Sequence, residues 1–77
     1  MLIMRVRLET ASVASSLAAA NERAGGTARV TGNTLELVHP SGGEAPHELC
    51  ELEFFVRAWV TGAERAERRH LPLEILG

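Results

Sequence analysis

The dipeptide Gly32-Asn33 constrains this chain more than any other feature. It lies between two runs rich in β-branched and aliphatic residues, 27–31 and 34–39. A two-residue loop of this kind suits a tight hairpin, because glycine reaches positive φ without a Cβ penalty. The loop length then sets the register. Thr31 falls opposite Thr34, Val30 opposite Leu35, Arg29 opposite Glu36 and Ala28 opposite Leu37. Side chains alternate between the faces of a strand, so the apolar pairs share one face and the opposite charges share the other. Turn chemistry, register and burial agree on one element.

Residues 2–8 alternate in the same way. Leu2, Met4, Val6 and Leu8 face one side, and Ile3, Arg5, Arg7 and Glu9 continue on the other. This predicts a strand with one buried face. Thr10 or Ser12 can cap a following helix. Val13, Leu17, Ala20 and Ala24 give that helix a narrow apolar stripe, and Gly25-Gly26 ends it.

Residues 40–47 read as a loop, with Pro46 suited to a first helical turn. From Leu49 onward, Leu52, Val56, Trp59, Val60 and Ala63 fall on one helical face. This places Trp59 in the core rather than against a ligand. Glu44, Glu48 and Glu51 sit near the amino end, and Arg65, Arg68 and Arg69 near the carboxyl end. Both sets complement a helix dipole. Glu53 with Arg57 and Glu64 with Arg68 are acid-first i,i+4 pairs. A competing pattern exists, since Leu52, Phe54, Val56, Ala58 and Val60 alternate as a strand would. Segment length, end charges and pair spacing favour the helix over 51–61, with Gly62 as the point where it would end or bend. Leu71, Leu73 and Ile75 predict a last short strand, which Pro72 confines to an edge or to its first residues.

The element order is therefore β-α-β-β-α-β, a single domain over residues 1–77. It resembles the ferredoxin-like architecture in element order along nearly the whole chain. That resemblance implies an α+β two-layer sandwich: an antiparallel sheet of order 4-1-3-2 with both helices on one face. The covered face would take Met4, Val6, Leu8, Val30, Leu35, Leu37, Leu73 and Ile75. The open face would collect Ile3, Arg5, Arg7, Arg29, Thr31, Thr34, Glu36, Val38, Glu74 and Leu76.

Composition narrows the functional classes. The chain has eight Arg and ten Glu but no Lys, Asp, Tyr or Gln, for a net charge of −2. Codon usage of a GC-rich bacterial genome accounts for most of this bias. The missing Asp excludes Ser-His-Asp triads, EF-hand loops and Asp-based phosphoryl transfer. Near-neutral charge gives no electrostatic case for nucleic acid or an anionic membrane as the main partner. Met1-Leu2-Ile3-Met4 precedes Arg5 and Arg7, the reverse of a signal peptide's order, and no apolar run approaches a membrane span. The single cysteine, Cys50, cannot form an internal disulfide, and a cytoplasmic location is expected.

Reactive groups are sparse. Cys50 and Glu51 each stand one helical turn from His47, a spacing compatible with a metal or, for Cys50, with a Cys-His nucleophile pair. No second Cys or paired His supports either, so no metal or other cofactor is expected. The glycines serve turns rather than phosphate loops. RNA-recognition modules carry aromatics on central open-face strands, where this chain has Arg5, Arg7 and Glu36. Copper-carrier domains need Cys-x-x-Cys where this chain has Glu9-Thr10-Ala11-Ser12. The Arg-bearing phosphate loop of acylphosphatase-like enzymes is also absent.

The leading expectation is a small non-enzymatic protein-interaction module, a homodimer or a subunit of a larger assembly. Arg5, Arg7, Arg29 and Glu36 would set register on the open face, with Ile3, Val38 and Leu76 adding apolar contact. Phe54, one turn from Cys50 and opposite the helix stripe, is a second contact candidate. The alternative is a small-ligand-binding or catalytic domain with His39, His47 and Cys50 around the 40–50 loop and helix start.

Overall fold

The computed structural model describes residues 2–42 and 45–77. The elements are β1 (Met4–Leu8), α1 (Ala11–Arg23), β2 (Thr27–Thr31), β3 (Thr34–Val38), α2 (His47–Glu67) and β4 (Leu73–Ile75). The four strands form one antiparallel sheet in the order β2-β3-β1-β4. Glu44, expected near the start of the second helix, lies outside the described residues, as do Met1 and Gly43.

The hairpin has the expected register, Thr31 to Thr34 through Ala28 to Leu37. Gly32 has φ +61°, whereas Asn33 does not reach positive φ. A positive φ at the first central residue defines the type II′ turn, whose twist matches paired strands. Asn33 also fastens the hairpin to β1. Its Nδ2 donates to the Leu8 carbonyl at 2.9 Å, and its own carbonyl accepts from the Leu8 N–H at 2.8 Å.

Thr10 caps α1, its Oγ1 accepting from the Val13 N–H at 3.2 Å. The helix buries Val13, Ala14, Leu17, Ala18 and Asn21. This face is rotated from the expected stripe: Ala20 is only half-buried, and Ala24 is the exposed C-cap. Alanines flank the stripe on both sides, so apolarity alone could not choose between them. The polar Asn21 was drawn inward by a hydrogen bond to β2.

α2 runs unbroken through Gly62 to Glu67, which rejects the strand reading of 51–61. Leu52, Val56 and Val60 are buried, with Leu49, Phe55, Trp59 and Ala63 packed beside them. The Glu53–Arg57 pair forms at 2.9 Å, but the expected Glu64–Arg68 pair does not. Arg68 is the C-cap in the left-handed conformation, φ +56°, which takes it off the helical track. Glu64 Oε2 instead accepts the Leu71 N–H at 2.8 Å and lies 2.9 Å from His70 Nδ1.

One apolar cluster holds sheet and helices together, combining Met4, Val6, Leu8, Leu35 and Leu37 with the buried faces of both helices. Val30 corrects the expected core, being 39% exposed. It sits on β2, the outer strand of the sheet, with no strand beyond it among the described residues to shield its outer side. Leu71 is fully buried ahead of β4, so the last strand is shorter than expected and begins after Pro72. Among the described residues, no helix is long and apolar enough to cross a membrane.

Candidate functional site

The open sheet face is built from alternate residues of β1, β2, β3 and β4. Register brings Arg5 opposite Glu36 and Arg7 opposite Glu74. Arg7 Nη1 donates to Glu74 Oε1 at 2.8 Å, and Arg5 Nε lies 3.9 Å from Glu36 Oε2. Arg29 approaches Glu36 from the other side of β3, yet it makes no ion pair among the described residues. Three arginines thus face two glutamates. Solvent weakens such pairs to about 0–1 kcal/mol each, so they define a charge pattern more than they hold the fold.

Apolar residues border this lattice. Ile3 is 41% exposed and Leu76 is 39% exposed. Leu76 is held beside β1 because its N–H donates to the Arg5 carbonyl while the Arg5 N–H donates to Gly77, both at 2.8 Å. Ile3, Thr27, Arg29, Glu36 and Val38 line a shallow depression of about 210 Å³. Its apolar wall is interrupted by Arg29, which has no carboxylate partner among the described residues, and by Glu36, which lies beside Arg5.

The 40–50 region gathers fewer of its candidates. His39 follows β3 and reaches α2, where its Nε2 lies 2.6 Å from Glu51 Oε1. Its Nδ1 accepts the Ser41 N–H at 3.0 Å. Those two contacts assign the neutral ring its proton on Nε2. Glu48 Oε2 stands 3.9 Å from Nδ1, and Glu48 is 6% exposed. Its Oε1 has no hydrogen-bond partner among the described residues. A cavity of about 140 Å³ lies between Asn21, Ala24, His39, Glu51 and Phe55. It includes His39 but not His47 or Cys50, both of which are exposed. Among the described residues, no three His, Cys, Asp or Glu groups converge to hold a metal ion.

Phe54 is 77% exposed and Cys50 is exposed too, both away from the buried stripe of α2. The arginines after α2 are partly committed. Arg69 is held by Glu9 at 2.5 Å and by Glu67 at 3.0 Å. The Glu9 hydrogen bond raises the guanidinium above its ordinary value.

Two inward polar residues escape a reading based on charge and periodicity. Asn21 interrupts an apolar stripe just before Gly25-Gly26, and that position was the available signal. Glu48 reads from sequence as one of several solvated acids at a helix start. Nothing local distinguishes it from Glu51, because its burial depends on the chain returning past His39.

The arrangement defines a small α+β protein with a four-stranded antiparallel sheet, two helices on one face and a charged opposite face. Comparison with family models, curated proteins and solved structures finds no match for the chain.

Proposed function

We propose that the protein is a small, cytoplasmic, non-enzymatic interaction module of ferredoxin-like architecture, a homodimer or subunit of a larger assembly. Its open sheet face receives a protein partner. The observation that carries this reading is the Arg/Glu ladder: ion pairs link neighbouring strands, Arg29 makes none among the described residues, and Ile3 and Leu76 stay exposed at the margin. Mixed charge sets orientation and partner choice, while the flanking aliphatics add contact area. The strand and sheet orders support the architectural part of the proposal.

Solution mass tests it. The wild type is expected to exceed the 8.3 kDa of one chain. Replacing both Ile3→Lys and Leu76→Lys should weaken whatever assembly uses the face without disturbing the core. A strict monomer at every concentration, with rapid amide exchange across the open-face strands, would overturn the reading.

A second reading has one specific observation behind it. The cavity beside His39 and Glu51 offers an imidazole next to a carboxylate, which would suit a small polar ligand. It would rely on His39 and Glu51 rather than on His47 and Cys50. Shifts of the His39 ring resonances in a small-molecule screen would support it; an unchanged His39 spectrum throughout would count against it.

A further inference from the structure

We infer that two copies of this chain join through the outer edge of β2, antiparallel about a two-fold axis at Val30, to make one eight-stranded sheet. This rests on the reading of the protein as an assembly subunit, but it uses a different surface from the open face.

Backbone parity comes first. The Leu8 N–H donates to the Asn33 carbonyl, while Arg5 exchanges bonds with Leu76 and Gly77 on the other side of β1. Hydrogen-bonding directions alternate along an antiparallel strand. Leu35 and Leu37 therefore turn their backbone groups to β1, and Thr34 and Glu36 turn theirs to β2. Their partners are Thr31 and Arg29. Ala28 and Val30 must consequently direct N–H and C=O outward, where the sheet has no further strand among the described residues.

The two sheet edges differ in protection. β4 is only three residues long and follows Pro72. β2 has five residues, Thr27–Thr31, with no proline and no lysine. Short length and proline are common means of blunting an edge, and β2 has neither. Val30 is 39% exposed beside a fully buried Leu35.

Charge and packing select the register. A two-fold antiparallel pair sets one residue opposite itself. Centring on Arg29 would stack two guanidinium groups. Centring on Ala28 would put Val30 against Gly26, which offers no side chain. Centring on Val30 pairs it with its own copy, sets Arg29 opposite Thr31 and Ala28 opposite Gly32 of the second copy, and uses the outward groups of Val30.

The helices then fit. α1 lies over β2 and β3. Across β3-β2-β2-β3 of the joined sheet, the two α1 axes stand about 10 Å apart at the usual strand spacing. Close-packed helices prefer about 8–10 Å. Asn21 marks the position of Thr27 through its hydrogen bond. Val30 lies about 10 Å further along β2, which corresponds to roughly seven residues back along α1, near Ser15. Asn21 and Ala24 line the cavity shared with α2, so Ala11 and Ser15 lie on the opposite flank. Both are exposed and small, which allows the close approach.

The test measures mass in the Ile3→Lys, Leu76→Lys background, where contacts through the open face are suppressed. A dimer should persist there, and adding either Val30→Lys or Ser15→Arg should reduce it to one chain with an unchanged circular dichroism spectrum. Separately, Val30→Cys in a Cys50→Ser background should form a disulfide-linked dimer on mild oxidation. The expected Cα separation of about 5.5 Å is within disulfide range. Arg29→Cys should cross-link far less, since its opposite residue is Thr31. Loss of the dimer in the double-lysine background overturns this inference and leaves the open-face reading standing. A dimer indifferent to Val30→Lys and Ser15→Arg, or cross-linking at 29 but not 30, also overturns it. A strictly monomeric wild type removes both.

Discussion

Asn21 Nδ2 donates to the Thr27 carbonyl at 2.9 Å, joining the last turn of α1 to the first residue of β2. Asn21 is 1% exposed, so its amide depends on partners within the protein. Its backbone carbonyl also accepts the Gly26 N–H at 3.0 Å, closing the turn between the two elements. Removing the side chain takes a donor from the Thr27 carbonyl and leaves a small void. Asn21→Ala is expected to lower unfolding free energy by about 1–3 kcal/mol. Urea denaturation followed by circular dichroism reads this as a lower midpoint.

Gly26 occupies the same corner for a steric reason. A Cβ there would lie 2.6 Å from the Val38 carbonyl oxygen and 2.7 Å from Asn21 Nδ2. The first neighbour is backbone in a paired strand and cannot yield cheaply. Gly26→Ala should therefore destabilise by about 1–3 kcal/mol, the usual range for a core clash. A thermal melt at least as stable as the wild type would contradict that contact.

Gly62 offers the opposite case. It lies within α2, is exposed, and has nothing near the position of an added Cβ. Gly62→Ala should raise stability by about 0.5–1 kcal/mol through helix propensity alone. The change should appear as a higher urea midpoint with an unaltered slope.

Glu48 tests the His39 corner. Its carboxylate is buried, with one oxygen lacking a hydrogen-bond partner among the described residues. Burying such a group is costly, and apolar replacements of similar volume are often neutral or stabilising. Glu48→Met should leave the urea midpoint unchanged or raise it. A marked drop would mean that the carboxylate makes a stabilising contact.

Legibility in the sequence followed the range of each interaction. The Gly32-Asn33 hairpin, the alternation of Met4–Leu8 and the buried stripe of α2 depend on neighbours a few residues apart, and all three were readable. Thr10 and the Glu53–Arg57 pair belong with them. Features set by tertiary placement were not readable. Val30 has a core residue's chemistry but sits on an edge strand, where its outer side stays exposed. Glu48 has a surface residue's chemistry but lies under His39. Glu64 turns to Leu71 and His70 because Arg68 adopts a left-handed cap, which periodicity does not reveal. The charge pattern on the open face was readable by residue, whereas the placing of Glu36 between Arg5 and Arg29, and its pairing with Arg5, required the strand order.

Sedimentation of the wild-type protein across a range of concentrations tests the central claim most directly. The account predicts a mass of twice 8.3 kDa or more, approached as concentration rises. A single species at 8.3 kDa throughout would contradict it.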